Sequence, residues 1–136
     1  MDETKILEIR SSVEEVHRVQ ADVQQDLQRW GCNGDTCFAV KLALEESLVN
    51  AIRHGNRLDP ARHVHIKYCI NDQCITICVR DEGPGFNPSD VPDPTSEENL
   101  TKPTGRGLML MRAYMDSVAY NPQGNEVTMT KRRPAS

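Results

Sequence analysis

The sequence predicts an α+β domain in which helices pack on one face of a mostly antiparallel sheet. Apolar residues recur at helical spacing early in the chain, over Ser12–Trp30 and Thr36–His54. Short runs in which apolar residues alternate with others follow these two segments. The predicted order is therefore strand, two helices, hairpin, long loop, helix and hairpin. The length of 136 residues fits one core, and we expect residues 1–136 to form a single domain.

The two long helices have recognisable ends as well as apolar periodicity. Ser12 and Glu15 form an S-x-x-E capping box at the start of the first helix, and Gly31 follows its end. The segment Asn33-Gly34-Asp35 offers turn and N-cap residues for the second helix, and Gly55-Asn56 ends it. Apolar residues cover much of the circumference of the second helix, and this predicts that it is buried.

The strands are predicted from alternation and from turn residues. They comprise an edge strand at 4–10, a hairpin of His63–Ile70 and Gln73–Arg80, and a second hairpin of Ser117–Tyr120 and Glu126–Lys131, with a third helix at Leu108–Met115 before the second hairpin. A two-residue turn, Asn71-Asp72, would place Cys69 opposite Cys74. Residues 83–107 hold five prolines and few apolar side chains, which predicts a long loop.

The composition argues against several functional classes. The net charge is −4 and no basic block occurs, so the sequence does not predict nucleic-acid binding. No apolar run approaches the roughly 20 residues that span a bilayer, and the N-terminus lacks the pattern of a signal peptide, so we expect a cytoplasmic protein with no membrane contact. The five cysteines form no CxxC pair, which is typical of reduced thiols rather than of disulfides.

The first candidate site lies on the predicted second helix. Glu46, Asn50 and His54 recur every four residues, so they share one stripe, with Glu45 beside them. A carboxylate and an amide oxygen one turn apart can bind a hard cation such as Mg²⁺ or polarise a hydroxyl group. The alternative is that the stripe is the solvent-facing side of an amphipathic helix.

The second candidate site is the segment DEGPGF at 81–86, directly after a predicted strand. Asp81 would lie at the edge of the core, where its carboxylate can accept a hydrogen bond from the amino group of a purine. Gly83 and Gly85 would let the main chain pass close to a flat ligand. The alternative is an ordinary acidic turn.

The third candidate site is the segment Thr104–Leu108, which ends the long loop and begins the third helix. Gly105 and Gly107 would expose main-chain N–H groups at a helix N-terminus, where an anion is favoured, and Arg106 adds a cation. The alternative is a flexible hinge in the loop.

The order and spacing of these three clusters resemble the N, G1 and G2 boxes of the GHKL ATP-binding fold, which gyrase and histidine kinases share. The stretches EESLVNAIRHGN, VRDEGPGF and GRGLMLMRAYMDSVAYNPQGNEVTMTKR are similar to those of the anti-sigma-factor serine/threonine kinases of bacterial partner-switching systems. The resemblance covers about residues 5–132. It implies a Bergerat-type two-layer sandwich with three helices on one face of the sheet, and a histidine-kinase-like ATPase domain whose ATP lid spans about 86–105.

The resemblance also implies roles for particular positions. Glu46 matches the catalytic carboxylate, Asn50 the Mg²⁺ ligand, and Asp81 the residue that binds the adenine amino group. Gly83 and Gly85 match the turn beneath the nucleotide. The remaining matches are a phosphate-side loop and helix start, at Thr104, Gly105, Arg106, Gly107 and Leu108, and a hydroxyl near adenine, at Thr128.

The implied function is that of an ATP- and Mg²⁺-dependent serine/threonine kinase, an anti-sigma factor that phosphorylates a STAS-domain anti-anti-sigma protein. A sigma factor would be the other partner, and the resemblance implies a homodimer. Two alternatives stay open, namely a nucleotide-gated regulatory module without kinase activity and a scaffolding domain without nucleotide. A histidine kinase is a poor match, because the chain has no room for a dimerisation helix that bears a phospho-acceptor histidine.

A structural zinc site on the first predicted hairpin is a further alternative. Cys69, Cys74, Cys78 and His65 would share the face opposite the apolar one, and thiolates and imidazoles are zinc ligands. The spacing of these residues fits no common zinc pattern, so the sequence favours free thiols.

Overall fold

The computed structural model describes residues 2–84 and 103–134, and for residues 103–107 it describes the main chain only. The elements are β1 (Glu3–Arg10), α1 (Glu14–Arg29), α2 (Gly34–Asn50) with a π-helical turn (Ala51–Gly55) at its end, β2 (His63–Ile70), β3 (Cys74–Arg80), α3 (Pro103–Tyr114), β4 (Ser117–Tyr120) and β5 (Glu126–Arg132). In these ranges no helix combines the length and the apolar character needed to cross a membrane.

The predicted α+β class is confirmed. The five strands form one sheet in the order β1-β2-β3-β5-β4, and every neighbouring pair is antiparallel. Alternate residues of the central strands, such as Ile75, Ile77 and Val79 on β3, are buried in one core with the apolar residues of the helices. The opposite face of the sheet carries smaller and more polar side chains, among them Cys78 and Thr128, which are half-buried.

The start of α1 differs from the predicted capping box. The N-cap is Val13, which already has helical angles, and among the described residues no side chain caps the helix. The main-chain carbonyl of Ser12, rather than its hydroxyl group, accepts the hydrogen bond from the Glu15 N–H at 3.0 Å. The capping-box prediction is therefore wrong. At α2 the predicted N-cap segment does cap the helix, and the capping residue is Asn33, whose side chain accepts a bond from the Thr36 N–H.

The register of the first hairpin is also different from the predicted one. Cys69 lies opposite Thr76 and not opposite Cys74. The reason is Asn71, whose side-chain oxygen accepts hydrogen bonds from the N–H groups of Gln73 and Cys74 and thereby closes a longer loop than the predicted two-residue turn. The Cys69–Cys74 pair on which the zinc alternative depended is absent, and the described residues contain no group of three metal-ligating side chains.

Helix α3 begins at Pro103, five residues before the predicted start at Leu108. Proline is favoured in the first turn of a helix because its fixed φ angle suits that turn and its missing N–H has no helical partner there. Residues 104–107 therefore belong to the first turns of α3 and not to a loop. Packing on α2 supports this helix, since the rings of Tyr114 and Phe38 meet edge to face with centroids 5.8 Å apart.

A buried carboxylate joins the first two strands to α1. Asp26 is 4% exposed and accepts hydrogen bonds from the Tyr68 hydroxyl group at 2.6 Å, from Lys5 at 2.8 Å and from Arg29 at 2.9 Å. Burial by itself raises the pKa of Asp26, but the bonds from Lys5, Tyr68 and Arg29 outweigh it and lower the pKa to about 2. The ionised carboxylate is thus the state that the fold stabilises.

We expect Tyr68→Phe to lower the free energy of unfolding at pH 7 by about 1.5–3 kcal/mol, the usual contribution of a hydrogen bond to a charged group. The pKa of Asp26 is lower in the folded chain than its unfolded value of about 3.9, so this stabilisation is present at neutral pH and is lost as the pH falls from about 4 towards 2. Urea unfolding at pH 7 and at low pH measures both effects.

The matched control for this substitution is Tyr114→Phe. Tyr114 is half-buried, and within the described ranges its hydroxyl group makes no hydrogen bond. We expect unchanged stability for this variant. Equal losses for the two variants, or a loss for Tyr68→Phe that persists near pH 2, would contradict the proposed contribution of the Asp26 bonds.

Candidate functional site

The candidate site lies where α2 meets the end of β3. Helix α2 closes with the π-helical turn Ala51–Gly55, and the next N–H group, that of Asn56, donates to the Ala51 carbonyl group at 2.8 Å. Single π-helical turns of this kind widen a helix locally and are frequent at functional sites. The turn was not predicted from the sequence. It brings Gly55 against Asp81, the first residue after β3.

Asp81 lies on the same side of the sheet as the helices. It is 8% exposed and follows the alternation of β3, in which Val79 points into the core. One carboxylate oxygen, Oδ1, accepts a hydrogen bond from the Gly83 N–H at 2.9 Å. The main-chain N–H of Asp81 donates to the Asn125 carbonyl group at 2.9 Å, which continues the pairing of β3 with β5.

Two glycines close around this carboxylate. A Cβ atom added at Gly55 would lie 2.2 Å from Oδ2 of Asp81, and one added at Gly83 would lie 1.8 Å from the Gly55 carbonyl oxygen. Neither position can therefore carry a side chain without displacing the carboxylate or the end of the helix. The sequence marked Gly83 as a site residue, but it gave Gly55 only as the end of a helix.

Opposing effects act on the pKa values of the titratable groups around Asp81. Burial raises the pKa of Asp81, whereas the Gly83 N–H and the positive charge of Arg62 lower it. Burial also raises the pKa of Tyr120 to about 12, with Arg112 opposing and Asp81 adding to the rise. Tyr120 therefore lies within electrostatic reach of Asp81 on the helix-facing side of β4.

Tyr120 and Asn125 border Asp81 and were missed from the sequence. No motif marks either residue, because both belong to the second hairpin, far from Asp81 along the chain. The available signal was the pairing of the strands: Arg80 lies opposite Glu126, so the next residue on each strand places Asn125 beside Asp81. The sequence fixes that register only once the order of the strands is known.

Glu46 and Asn50 lie along α2 as the four-residue spacing predicts. Both side chains are half-buried, and neither makes a hydrogen bond within the described part of the chain. Burial and the neighbouring charge of Glu45 raise the pKa of Glu46. Asn50 precedes Gly55 by five residues on one continuous helix, so the two are separated by the single π-helical turn. His54, the third residue of the predicted stripe, is exposed.

The other predicted site residues are placed less completely. Leu108, on α3, is buried in the core. The first turns of the same helix contain Thr104, Gly105, Arg106 and Gly107, for which the structure describes the main chain only. Gly85 and most of the predicted lid at 86–105 lie outside the described residues.

Thr128 is not brought to this site. Its hydroxyl group lies 3.2 Å from the Cys78 sulfur on the face of the sheet opposite Asp81. The alternation of β5 explains this placement, because the neighbouring Val127 and Met129 point into the core. The expectation that Thr128 contributes a hydroxyl group beside Asp81 does not agree with the geometry.

The arrangement suits a nucleotide. A buried carboxylate between glycine walls fits the edge of a flat base that carries an amino group, and the half-buried acid and amide of α2 offer oxygen atoms to a hard cation or to a hydroxyl group. The distance from Asn50 to the Gly55 end of the helix is shorter than a nucleoside triphosphate. One ligand can therefore contact both parts of the site.

Comparisons with known proteins agree with this assignment. The sequence model of the histidine kinase-like ATPase domain family matches residues 9–131 of this chain. The anti-sigma F factor of Oceanobacillus iheyensis is 33% identical over 104 residues, which cover 72% of this chain and 70% of that protein. The serine-protein kinase RsbW of Bacillus subtilis is 31% identical over 116 residues, which cover 76% of this chain and 69% of that protein.

A solved structure supports the fold. The RsbU and RsbW domains of a Mycobacterium tuberculosis protein match with a TM-score of 0.63 at 16% identity, over 98% of this chain and 34% of that one. The curated relatives extend beyond the match, since this chain spans about 70% of their length. The chain belongs to the histidine kinase-like ATPase domain family and, within it, to the anti-sigma-factor serine/threonine kinases.

Proposed function

We propose that this chain binds Mg·ATP and transfers the γ-phosphoryl group to a serine or threonine hydroxyl group of a protein partner. One observation carries the proposal: the helix that presents Glu46 and Asn50 is the helix whose end, Gly55, packs on the Asp81 carboxylate. The carboxylate proposed to bind the nucleobase, the proposed cation ligand and the candidate general base therefore belong to one rigid unit. Phosphoryl transfer depends on such fixed positions.

Asp81 would bind the nucleobase in the proposed site. Its Oδ1 atom is occupied by the Gly83 N–H, whereas Oδ2 makes no hydrogen bond within the described ranges. Oδ2 would accept a hydrogen bond from the amino group of adenine, and a side chain at Gly55 would overlap this oxygen atom. Guanine and hypoxanthine present a carbonyl oxygen at that position, which a carboxylate repels. The site would therefore select adenine nucleotides.

Phosphoryl transfer would take place at the side of α2 that carries Glu46 and Asn50. The Asn50 carboxamide oxygen would be a ligand to Mg²⁺, whose role is to neutralise charge on the phosphates. Glu46 would orient the partner's hydroxyl group and accept its proton. The raised pKa of Glu46, caused by burial and by Glu45, makes it a stronger base than an exposed glutamate.

The partners are proposed from the relatives and not from this site. The names of the relatives, anti-sigma F factor and serine-protein kinase RsbW, support a role as an anti-sigma factor that binds a sigma factor. A STAS-domain anti-anti-sigma protein would be the phosphorylated substrate. We further propose a cytoplasmic homodimer.

Asp81→Asn is expected to weaken Mg·ATP binding by roughly 10–100-fold, because a hydrogen bond to a charged acceptor contributes about 1.5–3 kcal/mol. Titration calorimetry measures the affinity. The control is Asp72→Asn in the exposed turn between β2 and β3, which should bind as the wild type does. Wild-type affinity in Asp81→Asn would remove Asp81 from the base site.

Gly55→Ala should lower both the stability and the affinity for Mg·ATP, since the added methyl group would overlap the Asp81 carboxylate. Overpacking of this kind costs about 1–3 kcal/mol. Gly34→Ala is the matched control, because a Cβ atom at Gly34 would meet no atom of the described residues within 4 Å. Urea unfolding and calorimetry on both variants test the contact, and equal behaviour of the two would contradict it.

Glu46→Gln is expected to reduce transfer of labelled γ-phosphate to a STAS-domain substrate by about 10²–10⁴-fold, the range for loss of a general base. The affinity for Mg·ATP should stay within about twofold of the wild type, because the substitution keeps the size of the side chain. Asp72→Asn, in the exposed turn between β2 and β3, is the control and should retain transfer. Retained transfer in Glu46→Gln would exclude Glu46 as the base.

The same assay separates kinase activity from the alternative of a nucleotide-gated module. The placement of Glu46 and Asn50 on one stripe favours the kinase, since a module that only binds needs no general base. A wild-type chain that binds Mg·ATP and transfers phosphate to no STAS protein of its host would favour the module.

A further inference from the structure

A fully buried amide lies directly after the π-helical turn. Asn56 is 0% exposed, and its side chain makes three hydrogen bonds to other described residues. The Nδ2 atom donates to the Ser11 hydroxyl oxygen at 2.8 Å and to the His63 carbonyl oxygen at 2.9 Å, and Oδ1 accepts from the Glu82 N–H at 2.7 Å. One side chain thus connects the end of β1, the start of β2 and the residue that follows Asp81.

We propose that Asn56 is a positioning residue that holds the Asp81–Gly83 turn in the geometry that recognises the base, an inference that rests on the proposed function. The Glu82 N–H is one residue from the Asp81 carboxylate, and the Gly83 N–H already binds that carboxylate. Fixing the Glu82 main chain therefore fixes the direction of the carboxylate.

The geometry of this turn leaves little tolerance. Gly55 contacts the carboxylate from one side, and Gly83 contacts the Gly55 carbonyl group. Without the bond from Asn56, the Glu82 main chain would lose its buried acceptor and could move away from the helix end. A displacement of about 1 Å in a positioned group can cost a factor of about 10² in function.

A second set of bonds holds the same turn from the solvent side. The Glu82 carboxylate accepts from the His63 N–H at 2.8 Å and lies 2.8 Å from Nε2 of His65, whose other ring nitrogen lies 3.3 Å from Glu8. The pairing with His65 and the His63 N–H lower the pKa of Glu82. Exposed ionic contacts contribute little, so the buried bond from Asn56 determines the position of the turn.

A purely structural role and a positioning role predict different nucleotide affinities. If Asn56 only stabilises the fold, its loss lowers the stability and leaves the folded site as selective as before. If it positions Asp81, its loss weakens ATP binding more than the binding of inosine triphosphate. Inosine triphosphate has the same sugar and phosphates, but it lacks the amino group that Asp81 would bind.

The test measures the dissociation constants of Mg·ATP and Mg·ITP for the full chain by calorimetry. In Asn56→Ser we expect ATP binding to weaken about tenfold or more and ITP binding to change less than about threefold, so that the preference for ATP is largely lost. Tyr68→Phe is the matched control, because it also removes a buried hydrogen bond of β2, at the strand end remote from Asp81. Its preference should stay that of the wild type.

Two outcomes would overturn the inference. A wild-type preference for ATP that Asn56→Ser retains would assign Asn56 to stability alone. A wild-type chain that binds neither nucleotide would refute the proposed function and this inference with it. If Asn56→Ser does not fold, amide hydrogen exchange in the wild type tests the contact on which the inference rests: rapid exchange of the Glu82 N–H in the free and bound chain would contradict its bond to Asn56 and overturn the inference.

Discussion

The contact between Gly55 and the Asp81 carboxylate is the constraint on which the site depends. It requires a helix end without a side chain, a π-helical turn that carries this end to the sheet, and a strand that ends one residue before the aspartate. When these conditions are met, the orientation of α2 relative to Asp81 is fixed, and with it the positions of Glu46 and Asn50. The acid and amide of the helix need no further contact of their own to keep their position relative to Asp81.

The two buried aspartates show how the same residue type serves stability or binding. Asp26 receives bonds from Tyr68, Lys5 and Arg29, so its ionised form is fully paired and its pKa is low. Within the described ranges the Asp81 carboxylate accepts one N–H bond and is packed against glycine, and burial raises its pKa. An oxygen atom that is buried without a bond from these ranges destabilises the fold, and such atoms are typical of sites that bind a ligand.

The sequence predicted the elements better than the pairings. Periodicity located α1, α2 and the strands, and the types and spacing of Glu46, Asn50, Asp81 and Gly83 defined the candidate site before any fold was known. The hairpin register failed because one side chain, that of Asn71, closed a longer loop. The family resemblance placed Thr128 near the adenine. The alternation of its strand, in which Val127 and Met129 face the core, places it on the opposite face of the sheet. Gly55 and Asn56 were missed because their roles depend on contacts with residues more than 20 positions away.

The most direct measurement is a crystal structure of the chain with Mg²⁺ and a non-hydrolysable ATP analogue. The account predicts that the adenine amino group lies within hydrogen-bonding distance of Asp81 Oδ2, that the Asn50 carboxamide oxygen coordinates the metal ion, and that Glu46 faces the γ-phosphate. An adenine bound away from Asp81, or phosphates directed away from the Glu46–Asn50 edge of α2, would contradict it.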